Sequence, residues 1–319
     1  MTQTGKIVIC MATYNGARFL RAQLDSFIHQ QYTNWQLLVH DDGSTDQTLA
    51  ILSEYADHDQ RITLLPHQPH MGVIKGFLGM LAPIEADYYM FSDQDDVWKP
   101  NKLSTMIEVA TVYPVDQPLL MHCDVSQIDA NGDVMPDAHW NLFEASDFGA
   151  YLLNNNVIGC TTLFNRKARD MVQSKITKIN PEHLFMHDWL IALIASGLGS
   201  VVHVEQPLVA YRQHENNVVG AGAHKHIFKR VFDRLTFKKK LKIWLILQQA
   251  EQFTQLYGDE LSRNQRRQAD AVVDLLHRYR PFSQQRSLKT LGLSMHAHSR
   301  DLQLRVFIWL PLALRKRVF

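Results

Sequence analysis

Three carboxylates lie within the four residues Asp93–Asp96 (DQDD), directly after the apolar run Asp87–Ser92 (DYYMFS). Like charges this close together repel one another unless a cation neutralises them. Carboxylate and water oxygens suit Mg²⁺ or Mn²⁺, and such a metal usually shares its remaining positions with substrate phosphates. An isolated D-x-D pattern is often only a solvated acidic turn. Here the preceding apolar run is a predicted strand that would direct the loop into a cleft. The sequence therefore predicts a divalent-metal site that binds a diphosphate ligand.

Two further polar stretches also follow apolar runs. Thr13–Gly16 (TYNG) comes after the run 6–12, and Asp41–Asp46 (DDGSTD) comes after the run 35–40. If all three apolar runs are parallel strands of one sheet, their carboxyl ends lie at the same edge, where ligands of open α/β sheets bind. The three polar stretches are therefore expected to converge on one cleft.

Apolar runs and helical patterns alternate through the first third of the chain. Strands are predicted at 6–12, 35–40, 61–65 and 87–92, and helices at 17–30, 45–55 and 73–81. This βαβαβαβ order predicts an α/β fold with a mostly parallel, doubly wound sheet and helices on both of its faces.

The later part of the chain is more mixed. Strands are predicted at 119–124, 159–164, 199–204 and 208–211, and helices at 102–112 and 188–195, with a turn at 129–132 (DANG). Beyond about residue 222 only helices are predicted. We therefore expect a catalytic domain at 1–222, with a nucleotide-binding half at about 1–100 and an acceptor half at about 101–222, followed by a basic helical region at 223–319.

Five motifs occur in one order along residues 5–220. They are MATYNG (11–16), VHDDGSTDQT (39–48), FSDQDDVWKPNKL (91–103), HDW (187–189) and YRQHENNVVG (211–220). Together they resemble the nucleotide-sugar-dependent glycosyltransferases of family 2, which have the GT-A fold. The DQDDVW and YRQHENNVVG stretches are similar in particular to bacterial rhamnosyltransferase-like members that build surface polysaccharides.

The resemblance implies a role for each residue of the first two polar stretches. Thr13 and Tyr14 would flank the nucleotide base, with Asn15 in the same donor-binding set. Asp42, or as the less favoured choice Asp41, would accept a hydrogen bond from the N3–H of a uracil or thymine ring.

The resemblance also assigns the acidic loop and two later residues. Asp93 and Asp95 match the D-x-D positions, with Asp95 as the direct metal ligand, and Asp96 would contact the donor sugar or ribose. His214 matches a position near the diphosphate, where a further metal or phosphate contact arises.

Asp188 matches the general base of the family. A carboxylate within hydrogen-bond reach can take the proton of an acceptor hydroxyl, and direct displacement then inverts the anomeric centre. The alternative for Asp188 is a helix N-cap, and one residue can serve as both. Asn154–Asn156 are weaker candidates for the acceptor side, since a polar turn before a strand explains them equally well.

Charge is distributed unevenly along the chain. Residues 224–319 hold 20 of the 33 Lys and Arg and 7 of the 32 Asp and Glu, so this region carries +13 while residues 1–223 carry −12. The segments 224–249 and 302–319 interleave basic with apolar and aromatic residues, as interfacial membrane helices do. Packing of these helices on the catalytic domain is an equal alternative. Nucleic acid is not an expected partner, because no motif for it occurs.

Targeting signals and spanning segments are not predicted. Residues 1–5 show no basic region followed by an apolar core, and the three cysteines are expected to be buried structural thiols in a reducing compartment. These features predict a cytoplasmic protein, peripheral at the inner face of the cell membrane.

The resemblance, together with the acidic loop, implies an inverting glycosyltransferase with Mn²⁺ or Mg²⁺ as its cofactor. It also implies dTDP-rhamnose or a UDP-sugar as the donor and a glycan, in particular a lipid-linked polysaccharide unit, as the acceptor. Two alternatives are a metal-dependent nucleotidyltransferase and a non-catalytic nucleotide-sugar binding module. The first needs an early basic triphosphate loop, for which residues 13–25 offer only Arg18 and Arg21.

Overall fold

The chain forms two compact units. The computed structural model describes residues 5–66, 70–135, 147–214, 237–296 and 298–314. Segments 1–141, 157–174 and 199–220 make up the first unit, and segments 142–156, 175–198 and 221–319 make up the second. The helical C-terminal region thus shares its unit with two segments from the middle of the chain.

The first unit contains an eight-stranded sheet in the order β3-β2-β1-β4-β7-β6-β8-β5. The strands are β1 Ile7–Thr13, β2 Trp35–Asp41, β3 Ile62–Leu64, β4 Tyr88–Ser92, β5 Val97–Trp98, β6 Leu119–Ile128, β7 Thr162–Asn165 and β8 Ser200–Arg212. The predicted α/β sheet is confirmed, but the two short strands expected around Pro207 are one strand. This strand is β8. Its pairing with β6 is irregular where Asp124 lies opposite Pro207, because proline has no N–H to donate.

Strand direction decides which loops meet. β3, β2, β1 and β4 are mutually parallel, β7 is antiparallel to both β4 and β6, and β8 is parallel to β6. Consequently β1, β2, β4, β6 and β8 all end at one edge of the sheet. The antiparallel strands β5 and β7 make the sheet mixed rather than purely parallel.

Eleven α-helices lie within the described residues. They are α1 Ala17–Ile28, α2 Thr48–His58, α3 Gly72–Met80, α4 Lys102–Ala110, α5 Phe148–Leu153, α6 Arg166–Lys175, α7 His187–Leu198, α8 Phe237–Tyr257, α9 Arg263–His277, α10 Pro281–Thr290 and α11 His298–Trp309. Short 3₁₀ turns occur at Gly159–Thr161, Ile176–Lys178, Pro181–His183 and Gly258–Glu260.

Side chains of β1 alternate between two helical layers. Ile7, Ile9 and Met11 belong to a buried cluster with residues of α1, α2 and α4. On the opposite face the Cys10 thiol lies 3.8 Å from the carbonyl oxygen of Met80, at the end of α3. Because both faces of β1 are covered, its sequence is apolar throughout, as in other doubly wound sheets.

The second unit is a helical assembly around α8. Leu247, Ala250 and Phe253 of this helix are fully buried, and the Phe253 ring lies 5.6 Å from that of Phe148 in α5. The Gln249 side chain accepts a 2.6 Å hydrogen bond from the Phe185 amide. The part of the basic segment from residue 243 to 249 therefore contributes to the packed core. Residues 224–236 and the side chains of 237–242 lie outside what the structure describes.

Two further sequence predictions concern membranes and thiols. No helix within the described ranges combines the length and apolarity that crossing a bilayer requires. Cys10, Cys123 and Cys160 are free and buried, which confirms the structural role predicted for them.

Candidate active site

The acidic loop Asp93–Asp96 connects β4 to β5 at the carboxyl edge of the sheet. Arg212, at the end of β8, holds this loop from two sides: its amide donates to Asp96 Oδ1 at 3.0 Å, and its Nε donates to the Asp95 carbonyl at 2.7 Å. The guanidinium also lies 4.9 Å from the centre of the Phe19 ring. The path of the loop is thus set by β8, more than a hundred residues later in sequence.

Asp95 and His214 are in direct contact. The distance between Asp95 Oδ2 and His214 Nε2 is 2.7 Å, and their side chains are only 19% and 12% exposed. The His214 ring stacks on Phe19 at 4.9 Å, which limits its rotation. Two residues that the sequence predicted as metal ligands therefore present a carboxylate oxygen and an imidazole nitrogen at one point.

Asp96 lies deeper than the rest of the loop. It is fully buried, and its Oδ2 has no hydrogen-bond partner. Burial, and next the neighbouring Asp95 carboxylate, raise the pKa of Asp96 to about 7. Potential ligand atoms of Asp93, Asp96 and Cys160 lie within 4.8 Å of one another. Burial raises the pKa of the Cys160 thiol well above its usual value, and soft sulfur is a poor ligand for Mg²⁺ or Mn²⁺.

A buried lysine lies beside this acidic cluster. Lys102 is inaccessible to solvent, donates from Nζ to the Cys160 carbonyl at 2.5 Å, and lies 3.1 Å from the centre of the Trp98 ring. Burial lowers the pKa of Lys102 to about 8, while Asp96 and Asp93 act in the opposite direction. Lys102 is therefore an internal cation for the acidic loop.

Asp41 uses its carboxylate to shape the loop after β2. It accepts hydrogen bonds from the Thr13 hydroxyl at 2.8 Å, from the Ser44 hydroxyl at 2.6 Å, and from the Gly43 and Ser44 amides at 3.1 and 2.8 Å. Thr13 itself is 2% exposed. Asp41 and Thr13 thus hold the loop after β2 from its buried side.

Asp42 faces the start of α3. Its Oδ1 accepts from the Met71 amide at 2.6 Å and from the Gly72 amide at 3.1 Å, and the side chain is 24% exposed. Amides at a helix start favour a negative charge beside them. Asp42 is therefore held as a partly exposed acceptor at the sheet edge.

Tyr14 and Asn15 join the loops after β1, β2 and β4. The Gln94 side chain accepts from the Tyr14 amide at 2.9 Å and donates to the Tyr14 carbonyl at 3.0 Å. Asn15 has a positive φ of 47°, donates from its amide to the Ser44 hydroxyl, and accepts from the Thr45 amide, both at 2.8 Å. The Tyr14 ring is left 54% exposed above this frame.

Gly16 leaves room for the Gln94 side chain, which occupies the space beside it. A Cβ on Gly16 would lie 2.1 Å from Gln94 Oε1 and 2.3 Å from Gln94 Cδ. The Gln94 side chain of the DQDD stretch therefore packs against, and hydrogen-bonds to, the TYNG stretch.

Asp188 belongs to the second unit. It lies in the first turn of α7, is 5% exposed, and receives a 3.5 Å hydrogen bond from the Asn155 side-chain amide. The Asn154 side chain, next in the chain, accepts from Arg300 of α11 at 2.7 Å and from the Asn155 amide at 3.0 Å. Contacts from α11 thus reach the surroundings of Asp188 through two asparagines.

Sequence patterns did not predict the roles of three residues that position the site. Gln94 stands between the acidic residues, Arg212 lies within the motif YRQHENNVVG, and Lys102 looked like an ordinary surface lysine at a helix start. Only the position of Gln94, inside the acidic loop, offered a signal. The roles of Arg212 and Lys102 depend on strand pairing and burial, which no local pattern reports.

Comparison with protein families gives one match over half of the chain. The family model described as "Glycosyl transferase family 2" matches residues 8–171. The dTDP-rhamnosyl transferase RfbG of Shigella flexneri is 29% identical over 238 residues, which cover 70% of this chain and 78% of the relative. The Escherichia coli enzyme WfgD, a UDP-Glc:alpha-D-GlcNAc-diphosphoundecaprenol beta-1,3-glucosyltransferase, is 34% identical over 49% of this chain and 58% of its own length.

Solved structures share the fold at low sequence identity. S. aureus TarS 1-349 in complex with UDP-GlcNAc superposes with a TM-score of 0.53 and 14% identity, covering 95% of this chain and 90% of its own. The mannosyltransferase PcManGT from Pyrobaculum calidifontis, in complex with GDP-Man and Mn²⁺, gives the same TM-score and identity over 96% of this chain and 86% of its own. The similarity extends over both compact units.

Proposed function

Because the chain belongs to glycosyl transferase family 2, we propose that this glycosyltransferase moves a sugar from a nucleotide-diphosphate donor to a hydroxyl of a glycan acceptor, with inversion at the anomeric carbon. The observation that carries the proposal is the 2.7 Å contact between Asp95 and His214, at the edge where the donor-binding loops meet. A carboxylate–imidazole pair in that position suits a divalent cation and the diphosphate it neutralises.

The donor is proposed to be dTDP-rhamnose or a UDP-sugar. The exposed Tyr14 ring offers a stacking surface for a base, and the partly exposed Asp42 offers an acceptor for the N3–H of a thymine or uracil. Asp42 is the better candidate than Asp41, because the Asp42 side chain is 24% exposed whereas Asp41 is buried. The rhamnosyl and glucosyl transferase relatives support this donor class.

Asp95 and His214 are the proposed holders of Mn²⁺ or Mg²⁺. Asp93 stays a proposed further ligand, although its carboxylate lies in a group with Asp96 and Cys160 rather than with this pair. The contact distance of 2.7 Å between Asp95 and His214 fits a shared cation, since neighbouring ligands of an octahedral Mg²⁺ site lie about 3 Å apart when each metal bond is about 2.1 Å. When bound, the cation neutralises the charge that develops on the leaving diphosphate. Asp96 is the proposed contact to the donor sugar or ribose, and its burial also supports the acidic loop from inside.

Asp188 is the proposed general base. Its carboxylate would take the proton of the acceptor hydroxyl while that oxygen forms a bond to the anomeric carbon and the bond to the diphosphate breaks. The hydrogen bond from Asn155 supports the ionised carboxylate and holds it in one orientation. Asn155 is thus a positioning residue in this proposal.

The acceptor is proposed to be a lipid-linked glycan of a cell-surface polysaccharide, reached from the inner face of the cell membrane. The name of the glucosyltransferase relative, whose acceptor is a diphosphoundecaprenol-linked sugar, supports this acceptor class. The basic C-terminal region supports peripheral association with an anionic surface.

A donor screen tests the proposed activity. Purified full-length protein is incubated with dTDP-rhamnose, UDP-sugars and GDP-mannose, with Mn²⁺, Mg²⁺ or EDTA, and the released nucleoside diphosphate is measured. We expect release from a dTDP- or UDP-sugar only when metal is present. Activity that survives complete chelation would contradict the metal assignment, and release of pyrophosphate from a nucleoside triphosphate would indicate a nucleotidyltransferase.

Two variants separate the proposed roles. Asp95→Asn is expected to abolish metal-dependent donor cleavage, and Asp188→Asn to lower transfer by about 10²–10⁴-fold while nucleotide binding is retained. Asp57→Asn, at an exposed carboxylate of α2, is the matched control and should remain fully active. Normal transfer by Asp188→Asn would remove that residue from the mechanism.

A further inference from the structure

Helix α11 has apolar side chains on two opposite sides. Leu304, Phe307 and Ile308 are 3%, 0% and 1% exposed and form its packed side. Leu302, Val306 and Trp309 follow one another at i, i+4 and i+7 and are 62%, 49% and 44% exposed, listed in that order. A surface helix normally places polar residues on its outer side. The outer apolar stripe of α11 therefore indicates a surface that is covered when the protein works.

Residues at the start of α10 extend this stripe. The Phe282 ring, 78% exposed, contacts the Trp309 ring edge-on with 4.8 Å between the ring centres. The Tyr279 hydroxyl, on a residue that is 45% exposed, donates to the Trp309 carbonyl at 3.3 Å. Three exposed aromatic side chains are thus fixed together by contacts between neighbouring elements. We call Tyr279, Phe282, Leu302, Val306 and Trp309 the α10–α11 face.

The segment that carries the α10–α11 face is rich in positive charge. Residues 278–314 contain six Lys or Arg and one acidic residue. Arg280, Arg286, Lys289 and Arg305 are exposed, whereas Arg278 pairs with Asp274 of α9. The acidic residue, Asp301, accepts hydrogen bonds from the Ser294 hydroxyl and the Met295 amide. The segment therefore has an excess of exposed cationic side chains.

We propose that the α10–α11 face binds the surface of a bilayer that contains anionic lipids. Aromatic side chains prefer the boundary between headgroups and acyl chains, and each nearby Lys or Arg adds about 1 kcal/mol of attraction to an anionic leaflet. A second copy of the chain would bring the same cationic region against itself, which like-charge repulsion disfavours. The face deepens the proposed function because it supplies the contact with the membrane of a lipid-linked acceptor, yet lipid binding is measurable without any transfer.

Vesicle sedimentation with the full chain tests the face. Vesicles of phosphatidylcholine alone are compared with vesicles containing about one third phosphatidylglycerol, at low and high salt. Wild-type protein should sediment with the anionic vesicles and be released by salt. The variant Leu302→Ser/Val306→Ser/Trp309→Ser should need at least about tenfold more lipid for half-maximal binding. Val112→Ser/Val115→Ser, at two valines of the sheet unit that are 76% and 80% exposed, is the matched control and should bind as wild type.

A second variant, which changes only charge, tests lipid binding even if the triple variant does not fold. Lys289→Glu/Arg305→Glu alters only exposed side chains and should weaken binding to anionic vesicles several-fold without changing the melting temperature. Equal sedimentation of wild type and both variants, or no sedimentation of the wild type, would overturn the proposal. Light scattering that shows a wild-type dimer and a triple-variant monomer would instead assign the face to a second copy.

Measuring donor hydrolysis distinguishes a failure of the membrane-binding proposal from a failure of the proposed enzymatic function. In the absence of membranes the triple variant should cleave the nucleotide-sugar donor as fast as wild type, since its substitutions lie on an outer helix side. Vesicle binding without donor cleavage would refute the proposed enzyme and leave the face intact. Donor cleavage without vesicle binding would refute the face alone.

Discussion

Gly16→Ala should destabilise the donor-binding loops through one contact. The new methyl group would lie 2.1 Å from Gln94 Oε1, so the Gln94 amide must leave its position between the Tyr14 amide and carbonyl. The backbone itself accepts alanine, because φ at Gly16 is −101°. Two hydrogen bonds at about 1 kcal/mol each are lost, which predicts a decrease of about 2 kcal/mol in the free energy of unfolding.

A double-mutant cycle isolates this cause. Gln94→Ala removes the same two hydrogen bonds and should also cost about 2 kcal/mol, whereas Gly16→Ala made in that background meets no glutamine and should cost under about 1 kcal/mol. The expected coupling between the two positions is thus well above 1 kcal/mol. The free energies come from urea unfolding of the four proteins, and isothermal titration with UDP or dTDP gives the matching changes in nucleotide affinity.

Gly79→Ala is the matched control. A Cβ there would meet only Met71 Cε, at an ordinary 3.8 Å. Because Gly79 lies inside α3, alanine should leave stability unchanged or raise it by up to about 1 kcal/mol. Additive losses of about 4 kcal/mol in the Gly16→Ala/Gln94→Ala double variant would refute the argument, as the damage would then have two separate origins.

Three shorter predictions concern His214, Asn155 and the buried His122 of β6. His214→Ala should raise the Mn²⁺ concentration for half-maximal activity at least about tenfold, and an unchanged Mn²⁺ dependence would exclude His214 as a ligand. Asn155→Ala should lower the transfer rate about fivefold at constant nucleotide affinity, because about 1 kcal/mol of support for Asp188 is lost; an unaltered rate in steady-state kinetics would contradict this. Burial lowers the pKa of His122 from 6.5 to about 4, so the unfolded chain binds more protons and wild-type stability should fall between pH 6.5 and 4, by up to about 1.4 kcal/mol per pH unit. His122→Gln should flatten that fall in urea unfolding at several pH values, and an identical slope would show that His122 does not cause it.

Burial explains why some predictions from pattern succeeded. The strands around β1, β2 and β4 were recognisable because both of their faces are covered, which makes each strand a continuous apolar run. The polar residues directly after such runs had to lie at one edge once the strands were parallel. The family motifs identified the same loops, so the acidic loop and the Asp42 region were accessible from sequence.

Other features could not be predicted locally because they depend on residues far apart in the chain. Asp95 and His214 are separated by 119 positions and meet only because β8 runs parallel to β6 and pairs with β5. The burial of Lys102, which makes it an internal cation rather than a surface charge, likewise follows from the closing of α4 over the sheet unit.

The class of fold, the family and the acidic residues at the strand ends were all predictable from local patterns, because strand periodicity and short motifs are local properties. How those residues are used follows from three-dimensional contacts. In the folded protein the Asp41 carboxylate holds the loop after β2, Asp42 stays partly exposed, and Gln94 packs against Gly16. The reason is that hydrogen-bond partners and burial are set by strand order and direction, which bring together positions that no local pattern connects.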